Sequence, residues 1–247
     1  MGYISCMASL SLFFHDGVLQ QGSEIQLAED SARHIVQVLR MQPGHKLELT
    51  DGKGHLATAS IARAEKKKCS VLIEAVQYFE PAQPQLHMAI AFTKNASRNE
   101  WLLEKCTEMG ITTIIPLMAH RTEREKIRYD RWTNILVSAM MQSKQFHLPL
   151  LKEATPFKQV AEQYSSVPQK ILAHCIEERS RKRIADAIIP HKETLILIGP
   201  EGDFTGEEVA LCEAAGFTAM SMGTNRLRTE TAAMAACAYF NMINHAE

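Results

Sequence analysis

From residue 86 onward, short apolar runs that read as strands alternate with longer runs of helical period, and few folds accommodate that order. Leu86 to Phe92, Thr112 to Met118, Lys170 to Cys175, Leu195 to Ile198 and Ala219 to Met222 are strand-like. Asn99 to Met109, Tyr129 to Phe146, Glu207 to Ala215 and Thr231 to Asn244 are helix-like. Strands apolar on both faces need cover on both, so the alternation predicts an α/β unit with a mostly parallel sheet between helices. In such sheets ligands bind outside the carboxyl ends of the strands.

A different pattern precedes it. Pro81-Ala82-Gln83-Pro84-Gln85 punctuates the chain and is the expected boundary between a 1–80 domain and an 81–247 domain. Before it, Lys46 to Thr50, His55 to Ile61 and Cys69 to Val76 read as short strands joined by Asp51-Gly52 and the charged turn Glu65 to Lys68. Asp30 to Met41 is the exception, a helix capped by Asp30 or Ser31 with Ile35, Val38 and Leu39 on its apolar face. Together these predict a small β-barrel carrying one helix.

Composition removes several classes. At 46% hydrophobic and 22% charged residues, the chain can bury a full core and has no disorder signature. No apolar run approaches the ~20 residues of a membrane span, and Met1 to Leu12 lacks the basic start of a secretory signal. A cytoplasmic protein without a membrane partner is expected. Six cysteines (Cys6, Cys69, Cys106, Cys175, Cys212, Cys237) show no C-x-x-C pair or histidine at ligand spacing, so no metal site is expected and the thiols read as small apolar residues. A net charge of -1 means that any nucleic-acid surface must be local.

The informative stretch is Leu195 to Ala232. One strand ends in Gly199-Pro200-Glu201-Gly202 and another in Met222-Gly223, so both ends should face one side of the sheet. Glycines there let backbone groups approach a ligand closely. A turn alone would explain an isolated Gly-Pro-Glu-Gly; two such bends on one rim point to a site.

Gly199-Pro200-Glu201-Gly202-Asp203-Phe204-Thr205 followed by Met222-Gly223-Thr224-Asn225-Arg226-Leu227-Arg228-Thr229-Glu230-Thr231-Ala232 resembles the SPOUT class of RNA methyltransferases, and within it the RsmE family of 16S rRNA (uracil-N3)-methyltransferases. Glu104-Lys105-Cys106-Thr107-Glu108-Met109-Gly110 and Gln142-Ser143 agree with that family, as do His34 to Arg40, Pro43-Gly44 and Asp51-Gly52. Departures stand at Asp203, where the family usually has glycine, at Met222 to Asn225, and at Gln145 in place of an arginine.

The resemblance implies a PUA-like barrel followed by a trefoil-knotted methyltransferase domain. It further implies a homodimer, S-adenosyl-L-methionine as cofactor, and N3 of a uridine in the decoding region of 16S rRNA, within the 30S subunit, as target. It places the cofactor against Leu197, Ile198, Gly199, Pro200, Glu201, Gly202, Met222, Gly223, Leu227, Arg228, Thr229, Thr231 and Ala232. Ala173 and His174 end a neighbouring strand and are expected to line the same pocket, His174 as a satisfied structural residue. The alternatives are a same-fold enzyme acting on another rRNA or tRNA position, and a catalytically silent RNA-binding module.

Chemistry then assigns roles. Uracil N3 must lose its proton as it is methylated, and charge develops on the ring. Arg228 is the expected cation for that charge, and Glu230 or Glu201 the expected acidic partner, with Arg228 and Glu230 as the catalytic pair. Thr229 and Thr231 suit the cap of the last helix. Ala232, Ala233, Ala235, Ala236 and Ala238 suit close packing, within one chain or between two. RNA contacts are expected from scattered cations: Arg33, Arg40, Lys46, Lys66, Lys67 and Lys68 on the barrel, and Lys94, Arg98, Arg121, Arg124 and Arg179 to Arg183 beyond it.

Overall fold

A computed structural model describes residues 10–123, 127–176 and 179–245. Cys6, the Met1–Leu12 segment up to residue 9, and Arg124 lie outside the described residues. The chain divides into two compact units, Met1–Pro81 with Met140–Leu148, and Ala82–Ala139 with Pro149–Glu247. The stretch 140–148, read from sequence as part of the second domain, thus belongs with the first unit.

The first unit is a five-stranded sheet in the order β1-β3-β4-β5-β2, formed by β1 (Leu12–Phe14), β2 (Glu24–Gln26), β3 (Lys46–Thr50), β4 (His55–Glu65) and β5 (Lys68–Tyr78). β1 runs parallel to β3, and the other pairs are antiparallel. Alternation sets the faces: Ala57, Ala59 and Ile61 of β4 point to a core shared with Leu47, Leu49, Val71 and Ile73. Register shifts at Thr58/Ala59 and Ile61/Arg63 bend the long β4-β5 ribbon.

The expected helix differs in detail. α1 (Glu29–Arg33) starts at Ala28 without a side-chain cap, so neither Asp30 nor Ser31 caps it, and it runs into a π turn over His34–Val38. The wider turn breaks the 3.6-residue period. Ala32 and Ile35 are buried, while Val38 and Leu39 are exposed at 66% and 39%, contrary to the apolar face expected for them.

The second unit is built on a parallel eight-stranded sheet, β6 (Leu86–Ile90), β7 (Thr113–Met118), β8 (Leu150–Leu151), β9 (Thr155–Pro156), β10 (Gln169–Ala173), β11 (Lys182–Arg183), β12 (Thr194–Ile198) and β13 (Thr218–Ser221). The order is β11-β13-β10-β12-β6-β7-β8, with β9 beside β7. Central β6 and β12 are buried at every residue, as strands covered on both faces must be.

Five helices complete this unit: α2 (Ala96–Glu108), α3 (Tyr129–Gln142), α4 (Phe157–Gln163), α5 (Ile184–Ala187) and α6 (Gly206–Ala214), with α7 (Thr229–His245) as a sixth. Thr205 and Glu208 form a reciprocal capping box that starts α6 and fixes the exit of the Gly199–Thr205 loop. The small residues of α7 let it sit closely within its own unit: Ala232, Ala233 and Ala236 are buried, and α7 packs on α2, β6 and β12. Cys237 donates to the Cys106 carbonyl at 3.7 Å. Cys69, Cys106, Cys212 and Cys237 are buried free thiols, and Cys175 is exposed. Burial pushes the Cys212 thiol up to about 12. Among the described residues there is no grouping fit for a metal ion, and no helix is long and apolar enough to cross a membrane.

Candidate functional site

Strands β13, β10 and β12 are neighbours and parallel, so their carboxyl ends share one rim of the sheet. The chain leaving each contributes to one cavity of about 510 Å³. β12 supplies Ile198, Gly199, Pro200, Glu201 and Asp203; β10 supplies Ala173, His174 and Cys175; β13 supplies Met220, Ser221, Met222 and Gly223. The wall is closed by Leu227, Arg228, Thr229 and Ala232 from the approach and first turn of α7, and by Arg98 from α2.

Of the residues expected at the cofactor, Ile198, Gly199, Pro200, Glu201, Met222, Gly223, Leu227, Arg228, Thr229 and Ala232 line this cavity. Leu197, Gly202 and Thr231 do not. Leu197 is wholly buried in the core beneath. Gly202 turns outward and its carbonyl accepts from Arg121 Nη1 at 2.7 Å; a side chain there would meet Arg121. Residues that the sequence reading did not place at the cofactor are Arg98, Cys175, Arg181, Asp203, Met220, Ser221, Asn225 and Arg226. Arg98 is remote in sequence, and nothing in the local pattern near Asn95 announces a cavity wall.

Local chemistry explains the shape. Gly199 is glycine because a Cβ would sit 3.0 Å from the buried Phe204 ring. Gly223 has φ +121°, which L side chains rarely adopt. Asp203 takes a left-handed φ of 62°, the conformation that suits the family's glycine, and its carboxylate accepts from Phe204 N (2.8 Å) and Cys175 N (2.7 Å). The substitution therefore ties the β12 loop to the β10 loop instead of loosening either.

The two bends are tied as well. The Thr229 hydroxyl, expected as a helix cap, instead donates to the Gly199 carbonyl at 3.0 Å. Arg226 donates to the Glu201 carbonyl at 3.0 Å. Thr229→Val should leave the half-buried Gly199 carbonyl without this donor and cost about 0.5–1.5 kcal/mol of stability. A thermal unfolding midpoint equal to the parent's would show that the tie carries no weight.

His174 is 4% exposed. Its Nδ1 accepts from Ile176 N at 3.2 Å, which assigns the ring proton to Nε2. That nitrogen is buried and meets no partner among the described residues, so His174 is not the satisfied structural histidine expected. Burial lowers its pKa, with Asp203 opposing, and keeps the ring neutral near pH 7.

The acidic residues sort by geometry. Arg98 stands between Glu201 (3.5 Å) and Glu230 (3.6 Å). Glu230 is 7% exposed, lies outside the cavity lining, and leaves Oε2 without a partner among the described residues. A carboxylate held there acts on Arg98 more directly than on anything in the cavity. Arg228 is exposed on the cavity wall, as the sequence reading placed it.

The cations expected to meet RNA are dispersed and mostly paired. Arg33 and Lys67 reach Glu29, Lys46 reaches Glu74 at 2.8 Å, and Lys94 reaches Glu123 at 2.6 Å. Arg40 sits in a left-handed turn after the π turn, and Lys66 and Lys68 flank the exposed β4-β5 turn. Exposed pairs contribute at most about 1 kcal/mol, so phosphate can displace such carboxylates.

With two glycine-bearing strand ends and the start of α7 on one cavity, comparison with known proteins becomes decisive. The family model described as RNA methyltransferase domain matches residues 80–241. This chain belongs to the RNA methyltransferase family. The model described as RNA methyltransferase PUA domain matches residues 27–74 of the first unit.

Individual members of the family agree over nearly the whole chain. The ribosomal RNA small subunit methyltransferase E of Rickettsia conorii is 29% identical over 232 residues, 93% of this chain and 94% of the relative. A crystal structure of a probable rRNA-methyltransferase from Porphyromonas gingivalis superposes with a TM-score of 0.89 at 36% identity, covering 95% of this chain and 98% of that one. The ribosomal RNA small subunit methyltransferase E of Neisseria gonorrhoeae, solved bound to S-adenosyl methionine, gives a TM-score of 0.81 at 27% identity, with 95% and 98% covered. The expected kinship with the RsmE family, and the SPOUT fold with its PUA-like first unit, are borne out.

Proposed function

We propose that the cavity holds S-adenosyl-L-methionine and that this RNA methyltransferase transfers its methyl group to N3 of a uridine in the decoding region of 16S rRNA, within the 30S subunit and as a cytoplasmic homodimer. The observation that carries the reading is the convergence of the Ile198–Asp203 and Met220–Thr229 segments on one cavity of about 510 Å³. RsmE kinship supports the uridine and the small subunit.

The lining suits the cofactor. Ile198, Met220, Met222, Leu227 and Ala232 offer apolar walls for an adenosyl group, and Gly199 and Gly223 offer backbone without side chains. The buried His174 lacks a partner for its Nε2 proton among the described residues, as expected of a donor reserved for a ligand. Glu201 and Asp203 suit a cationic ligand, and Arg98, Arg181 and Arg226 suit its carboxylate or an RNA phosphate. When bound, the cofactor supplies an electrophilic methyl group on a sulfonium.

The chain's own residues hold and orient. Arg228 faces the negative charge that grows on the uracil ring as N3 is deprotonated. Asp203 is committed to two backbone N–H groups. Glu201, with its side chain 60% exposed, is the cavity carboxylate free to accept the N3 proton, and Arg98 orients it at 3.5 Å. Glu230 positions Arg98 from the buried side.

Two measurements test this. Mass spectrometry of rRNA nucleosides from a strain lacking the gene should show a deficit of 3-methyluridine; an unchanged level would reject the uridine N3 assignment. Cys175 is exposed and lines the cavity, so its alkylation by iodoacetamide should slow when S-adenosylmethionine is added. Equal rates with and without cofactor would count against this cavity as its site.

A further inference from the structure

A second cavity, of about 600 Å³, opens at the carboxyl ends of β6 and β7. Phe92, just after β6, and Trp132 of α3 form its floor, with ring centroids 4.4 Å apart at 47°. Met118 from the end of β7 adds a flexible apolar surface. β6 pairs with β12 in parallel, so this opening lies on the same rim of the sheet as the first cavity. The two share a wall: Ser97 and Asn99 of α2 line the second while Arg98, between them, lines the first.

The charges at its edge are unequal in availability. Arg131 is held by Glu100 through bonds of 2.5 and 2.7 Å, and Lys94 by Glu123 at 2.6 Å. Arg128 is exposed on the cavity's edge, and no carboxylate among the described residues forms an ion pair with it. An aromatic floor beneath an exposed guanidinium matches a nucleotide, whose base has a π-face and whose phosphate takes a planar cation.

We propose that this second cavity receives a nucleotide neighbouring the target in the RNA substrate, its base against Phe92 and Trp132 and its phosphate at Arg128. The inference rests on the methyl-transfer reading above. A base attacked at a ring nitrogen must leave its pairing and stacking, and that exposes the faces of the bases beside it. A pocket that shares the α2 wall with the first would hold such a neighbour and keep the strand in register with the reacting base. The volume falls within the range of built ligand sites.

The chain has two tryptophans, so Trp101→Phe leaves Trp132 as the only indole. Titrating that protein with a short uridine-rich single-stranded RNA should change Trp132 emission saturably. Ser97→Phe, which fills the cavity, and Arg128→Glu should each weaken RNA binding about tenfold or more, with calorimetric affinity for S-adenosylmethionine equal to the parent's as proof of folding. Unchanged RNA affinity in both variants, or RNA binding without any response from Trp132, would overturn the proposal. So would saturation of the cavity by a short apolar peptide in place of RNA. Failure of the parent chain to bind S-adenosylmethionine would overturn the methyl-transfer reading itself, and is seen in a separate titration.

Discussion

Arg228→Ala is expected to lower methyl transfer by roughly 100-fold, with cofactor affinity and thermal stability close to the parent's. The guanidinium is exposed on the cavity wall just ahead of α7, and its side chain anchors no part of the fold described above. What remains for it is charge that appears only as uracil loses its proton. A donor aimed at developing charge in a partly dry site is worth about 10²–10³ in rate. Arg228→Lys keeps the charge but loses the planar fork, and an intermediate rate should result. Single-turnover methylation of rRNA measures both, and parental rates in the alanine variant would remove Arg228 from the chemistry.

The second large effect is expected at Gly223. Its φ of +121° is open to glycine and strained for any L side chain, and forcing a side chain there costs about 1–3 kcal/mol. No neighbouring atom lies within 4 Å of the added Cβ, so the penalty is conformational and not a clash. Gly223→Val should therefore shift the Met222–Leu227 bend and weaken S-adenosylmethionine binding by about tenfold or more, since one kcal/mol and a half is a factor of ten. Calorimetry reads it directly. Parental affinity would mean that this bend does not shape the cofactor's enclosure.

The parts of this architecture that could be read from residues are those governed by local periodicity. Leu195 to Ile198 is apolar throughout because β12 is buried on both faces, and the bends after it carry glycine because backbone conformation or the Phe204 ring demands it. What escaped has a tertiary cause. Val38 and Leu39 obeyed helical spacing, yet the π turn rotates them into solvent. Tyr129 to Phe146 looked like one helix, but α3 ends at Gln142 and Met140–Leu148 joins the first unit through bonds such as His147 to the Phe79 carbonyl. Arg98 and Trp132 belong to cavities whose other walls lie far away in sequence, so no local signal marks them. Glu230 sits inside the motif but beside the cavity wall, a distinction of side-chain direction that composition does not encode.

The bond from the Thr229 hydroxyl to the Gly199 carbonyl spans 30 positions of the chain. A ribosome makes proteins from the amino end, so β6, β7, β10 and β12 have all been synthesised before the segment that closes the pocket leaves the exit tunnel. A growing polypeptide that has not yet released Leu227 to Ala232 has no enclosure to offer a ligand, whatever the state of its core. Acquisition of binding thus waits on the docking of α7, and proteolytic clipping ahead of Thr229 would remove both the pocket's closing wall and the buried Ala233, Ala236 and Phe240 from the core.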